Sequence, residues 1–208
     1  MIYSERNWQL LQAMATGIRL LAPHQLARWW GVPITNAKRS LRELCDSGFL
    51  KETIVRARRL PPITQPLLQW KPTQPTPNFG ALSYQAKERF RELAPVLFAA
   101  YTPTTRALSQ FTVRHHAKLR RCQATHELGV TESYLYALTR WPRLTQRCWR
   151  GENLYARDRG HGEKVEDAHF VNPQTGKVML AIEYAGTYHK HRFETLHEAL
   201  KHNPYWIM

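Results

Sequence analysis

Apolar side chains in residues 4–15 recur at Trp8, Leu11, Met14 and Ala15, the three-to-four spacing of a helix with one buried face, and Gly17 follows where such a helix stops. Residues 23–30 repeat the pattern with Leu26, Ala27 and Trp30 inward. Pro23 suits the first turn and Gly31 a tight exit. Thr35 is placed to cap a third helix that buries Ala37, Leu41, Leu44 and Cys45 and ends at Gly48. Residues 49–58 are rich in branched side chains and run towards Pro61 and Pro62, which predicts a strand entering a loop. Residues 67–71 supply the returning strand of a hairpin. Short helices followed by a two-stranded hairpin are the order of a winged helix-turn-helix.

Beyond it, the prolines of residues 71–77 predict a loop or hinge, and a helix follows at 83–93. Residues 106–128 again read as helix, with Leu108, Phe111, Ala117 and Leu119 interleaved with Arg114, Lys118, Arg120 and Arg121, and a shorter helix covers 133–139. The pattern then changes to a strand at 165–171, a turn at 172–176, a strand at 178–184 and a helix at 192–201. The expected class is α+β: a winged helix-turn-helix over residues 1–93, then a helical connector and an α/β unit over 94–208.

Charge sharpens this reading. The 208 residues carry 30 Lys and Arg against 16 Asp and Glu, a formal charge of +14. That excess is costly in self-repulsion unless a polyanion offsets it. Residues 1–100 hold 14 basic and 6 acidic side chains and residues 101–208 hold 16 and 10, so no single basic tail explains it. Nucleic acid is the leading partner. A membrane surface would call for a basic amphipathic helix or a lipidation motif, and neither is read; no apolar run is long enough to span a bilayer. Polar residues throughout the first ten positions argue against a signal peptide and for the cytoplasm. Cys45, Cys122 and Cys148 are too scattered for a disulfide framework or a zinc site, so buried free thiols are expected.

With the buried face of the third helix assigned, Thr35, Asn36, Lys38, Arg39, Arg42 and Glu43 point outward. Asn and Arg can read adenine and guanine edges bidentately in the major groove, while Thr35 and Lys38 suit phosphates. Arg56, Arg58 and Arg59 would lie near the hairpin tip, within reach of backbone or minor groove. Arg114, Lys118 and Arg121 extend the basic surface. The run from Leu20 to Ala27, then Gly31-Val32, residues 37–44 and Gly48-Phe49-Leu50 resembles winged helices of bacterial regulators and plasmid proteins, over roughly residues 5–72.

The strand at 178–184 is apolar on both faces except for Glu183, and a carboxylate so placed requires a cation or hydrogen-bonding partner. Asp167 on the preceding strand can converge with it, and Glu152 can add a third carboxylate. Hard oxygen ligands of this kind suit Mg or Mn, which activate water against a phosphodiester. His115-His116 and His189-Lys190-His191 are read as surface or phosphate-contacting histidines, since neighbouring residues point apart, and Tyr184 and Tyr188 as packing residues in preference to nickase nucleophiles.

Glu152, then Glu166-Asp167-Ala168, then Ala181-Ile182-Glu183-Tyr184-Ala185-Gly186-Thr187 resemble the restriction-endonuclease-like, PD-(D/E)xK-type fold. More narrowly they resemble the replication-relaxation family of plasmid and mobile-element proteins, in which a winged helix precedes such a domain. The resemblance implies nuclease metal positions at Asp167 and Glu183. Its pattern wants a lysine two residues after the glutamate; this chain has Ala185, so Lys190 or Lys164 would have to serve, or Glu183 is satisfied by an arginine such as Arg192.

The expected function is a double-stranded DNA-binding protein of a plasmid, phage or integrative element, acting in replication, transfer or transcriptional control, with an inactive nuclease-like unit. The competing expectations are a divalent-metal endonuclease using Asp167, Glu183 and Glu152, and an adaptor that brings a recombinase, relaxase or replication protein to DNA. A homodimer on palindromic half-sites is compatible with such a helix.

Overall fold

Ser4 opens α1 (Glu5–Thr16) by accepting the Asn7 amide, and the helix buries Leu10, Leu11 and Met14. α2 (Pro23–Trp30) begins on a proline and ends at Gly31, whose φ of 63° lies in the left-handed region. α3 (Ile34–Asp46) starts two residues earlier than expected: Pro33 occupies the cap, and Thr35 lies inside the first turn. Ala37, Leu41 and Leu44 form its buried face as expected, with Cys45 half-buried at the edge. The computed structural model describes residues 4–113, 121–155 and 166–208.

β1 (Leu50–Ala57) does not pair with the segment that the sequence pattern offered. That segment contributes only the short β2 (Leu68–Trp70), which belongs to another sheet, and α4 (Phe79–Glu88) follows, started early because Asn78 caps it through the Ala81 amide. The partner of β1 is β3 (Val96–Pro103), antiparallel from Leu50 opposite Pro103 to Ala57 opposite Val96. Leu21, between α1 and α2, joins the ribbon through a bridge to Tyr101. Lengthening a loop costs little more entropy with each added residue, so the full ladder available to β3 outweighs the nearness of β2.

The long helix expected over 106–128 does not form. Thr104 caps the short α5 (Thr105–Ser109), and Thr112, with φ of 58°, leaves the helical path. Arg114, Lys118, Lys164 and the pair His115-His116 lie outside the described residues. A 3-10 turn (Arg121–Gln123) leads into α6 (Ala124–Arg140), which absorbs the helix expected at 133–139. α7 (Pro142–Cys148), β4 (Trp149–Gly151), α8 (Glu152–Tyr155), β5 (Ala168–Val171), β6 (Val178–Glu183), α9 (Lys190–Leu200) and β7 (Tyr205–Ile207) complete the chain.

The second sheet has the order β2-β7-β6-β5-β4, antiparallel except for the parallel pair β6 and β7, which α9 connects. The chain is therefore α+β with two sheets. Strand pairing crosses the boundary expected after residue 93, because β2 joins the second sheet and β3 the first. One apolar cluster runs from α1 to α3 through the ribbon to α6 and β4, β5 and β6; a smaller one, with Trp70, Ala86, Ala181, Ala185 and Phe193, lies under α4 and α9. Of the cysteines, Cys148 is buried and Cys122 exposed, so the expectation of buried thiols holds fully only for Cys148. Among the described residues no helix is long and apolar enough to cross a membrane.

Candidate nucleic-acid interface and carboxylate centre

Burial of Ala37, Leu41 and Leu44 turns the opposite side of α3 to solvent, and Thr35, Asn36, Lys38, Arg39, Arg42 and Glu43 are all exposed. Lys38, Arg39 and Arg42 form no salt bridge with any described residue, which leaves their donors available to an anionic partner. Alongside, the start of α1 and the face of α3 enclose a groove of about 450 Å³ lined by Arg6, Asn7, Asn36, Arg39 and Glu43. Arg6 escaped the sequence reading because it lies far along the chain from α3; only packing brings it there.

The arginines assigned to the hairpin divide. Arg56 is exposed on the ribbon opposite Leu97, and Arg59 is exposed with its guanidinium 5.6 Å from the Phe98 ring. Arg58 is turned inward: its Nε donates to the Leu93 carbonyl at 2.7 Å and its guanidinium lies 5.3 Å from the Phe90 ring. There is no tight tip at this point, because the chain departs for residues 58–95 before returning as β3. The backbone of Arg121 lies in the 3-10 turn before α6.

The second sheet places Asp167 immediately before β5, whose first residue, Ala168, stands opposite Ile182, the residue before Glu183. Both carboxylate oxygens of Asp167 have a partner. Its Oδ1 lies 2.8 Å from His126 Nε2 on α6, and its Oδ2 accepts the Tyr184 backbone N–H at 2.7 Å. Glu183, 2% exposed, accepts the Tyr188 hydroxyl at 3.0 Å, with the Arg192 guanidinium 3.9 Å away. Glu152 joins through backbone and side chain: its N–H donates to the Asp167 carbonyl at 2.9 Å, and its carboxylate lies 3.3 Å from Arg19. Arg19 also forms a two-pronged ion pair with Glu127 of α6. Burial pushes the Glu152 carboxyl up, while Arg19 opposes that shift.

Burial works against a charged His126, yet the Asp167 carboxylate and its hydrogen bond, with Glu127 and Glu183 nearby, carry the imidazole up to about 9. A group raised above its unfolded value near 6.5 stabilises the fold fully below that pH and loses the contribution as pH rises through 9. The melting temperature should therefore fall between about pH 6.5 and 9, and His126→Gln should flatten that slope. A wild-type profile with no such decline would exclude the charged pair.

These donors do not fit a Mg or Mn site. Both Asp167 oxygens are already bonded within the protein, and among the described residues no group of three or more His, Cys, Asp or Glu side chains is arranged to hold a metal ion. Ala185, where the nuclease pattern wants lysine, is fully buried in the apolar layer beneath α4 and α9. Lys190 is exposed at the start of α9 and pairs with Glu194 at 3.5 Å. His189 lies against Lys87 at 3.2 Å and His191 near Glu194 at 3.7 Å. Tyr184 is buried with its ring against Gly129. His126 and Glu127, adjacent on α6, and Arg19 were missed from the sequence because their partners stand in distant segments without any ligand spacing.

Compared with protein-family models, with curated proteins and with solved structures, the chain matches none.

Proposed function

We propose that this chain is a double-stranded DNA-binding protein in which α1 to α3 and the β1–β3 ribbon act as a winged helix-turn-helix. The observation that carries this reading is the outward face of α3, where Thr35, Asn36, Lys38, Arg39 and Arg42 stand exposed on a rigid, packed helix. The formal charge of +14 supports the same partner. Arg56 and Arg59 on the ribbon are suited to flanking backbone, whereas Arg58 serves packing. By its resemblance to the replication-relaxation family, the protein acts in replication, transfer or transcriptional control of a plasmid, phage or integrative element in the cytoplasm. Its second unit adds affinity or docks a recombinase, relaxase or replication protein.

The test is to select sites from a random duplex pool and measure affinity for them by fluorescence anisotropy. Arg39→Ala or Arg42→Ala should cost about 1–3 kcal/mol and relax preference at one base position, while Lys38→Ala should weaken every duplex alike. Equal, small losses on all duplexes for all variants would defeat the reading.

A metal-dependent endonuclease is the second reading. It is favoured by the order from α7 to β7, a helix, three antiparallel strands with the short α8 after the first, a helix and a parallel strand, with Asp167 just before β5 and Glu183 at the end of β6. Ala185 and the bonded Asp167 oxygens weigh against cleavage and favour an inactive, nuclease-like unit.

A further inference from the structure

The acidic centre of the second unit is met by a guanidinium from the first. Arg19 lies in the connector between α1 and α2 with its side chain 14% exposed. Its Nε donates to Glu127 at 2.8 Å, its Nη2 reaches both Glu127 and Glu152, and Asp167 adds its field at longer range. The connector is held from three sides. The Leu20 carbonyl accepts the Thr131 hydroxyl at 2.6 Å, and Leu21 exchanges both backbone hydrogen bonds with Tyr101, at 3.0 and 2.9 Å. Gly17 lies so close to β4 that a Cβ on Gly151 would come within 2.6 Å of its Cα. Carboxylates from α6 and α8 thus meet on one planar, permanently charged fork delivered by fixed backbone, with that of Asp167 further off.

We infer that Arg19 is the resident cation of this centre, its guanidinium compensating the Glu127 and Glu152 carboxylates that would otherwise call for another cation and tying the α1–α2 connector to α6 and α8. A buried carboxylate requires compensation, and the guanidinium bonded to Glu127 and lying beside Glu152 supplies it. The inference stands whether or not α3 reads DNA.

The test is thermal melting of the full chain, with and without millimolar Mn²⁺, for wild type, Arg19→Met and Arg19→Met combined with Glu127→Gln. Wild type should not respond to Mn²⁺. Arg19→Met should melt lower and recover several degrees with Mn²⁺, because a ligand that binds only the native state stabilises it. The double variant should melt above Arg19→Met and lose the response. A Mn²⁺-dependent rise in wild type, an Arg19→Met variant as stable as wild type, or one that melts lower but ignores Mn²⁺ would each overturn the inference. If Arg19→Met does not fold, calorimetric titration of Mn²⁺ into wild type and the melting of Arg19→Lys decide. No binding and a lowered melting temperature support the inference; measurable binding, or a Lys variant as stable as wild type, overturns it.

Discussion

Glu127→Ala should lower stability by about 3 kcal/mol, because it strips the main partner from a largely buried guanidinium. Glu127 is 2% exposed and Arg19 14%, so water does little to compensate either charge. Glu152, at 3.3 Å and partly exposed, retains some of the attraction and places the loss near the lower end for a broken buried pair. For a chain of this size the melting temperature should fall by about 6–12 °C. The comparison is Glu198→Ala, whose partner Lys201 lies beside it on the surface and whose removal should change little. Similar small shifts for both variants would mean that the Arg19–Glu127 pair does not hold the connector to α6.

Gly129→Ala should destabilise the protein by about 2 kcal/mol or more, although helix propensity alone argues the opposite sign. Replacing glycine by alanine inside a helix gains about 1 kcal/mol. Here the added Cβ would lie 2.0 Å from Cε1 of Tyr184, far inside contact distance. The ring has little room to yield, since it packs near Phe90 and His126 and its backbone N–H is bonded to Asp167. Overpacking of a well-filled core costs about 1–3 kcal/mol, and a clash with an anchored ring belongs at or beyond the upper end, so sterics outweigh propensity. Chemical denaturation measures the change. Adding Tyr184→Ala should cost less in the Gly129→Ala background than in wild type, and strict additivity of the two would remove the ring as the cause.

Both variants lie on α6, which the sequence pattern breaks into two separate helices. Its buried residues include Glu127, Thr131, Glu132 and Ser133, and polar residues at such positions mask the apolar period that identifies a helix. Their partners explain the composition. Glu127 meets Arg19, Thr131 the Leu20 carbonyl, and Glu132 both Gln25 and Arg28, all more than a hundred residues away. No local pattern encodes those contacts. The first strand of the ribbon could be read from its branched residues, but its partner could not: the nearby segment at 67–71 is the strand the pattern offers, whereas β3 lies in a stretch that reads as part of a helical connector.

What the sequence alone determined was local: the three-to-four spacing of α1 to α3, the left-handed exits at Gly31 and Gly48, the outward face from Thr35 to Glu43, and the turn that pairs β5 with β6. In each case backbone geometry and a single buried face suffice. Tertiary structure alone decided that Arg58 turns inward, that Asp167 bonds His126, and that Arg19 enters the carboxylate centre. A buried charge is stabilised by whichever opposite charge the packed chain brings to it, and that choice depends on distances no stretch of sequence contains.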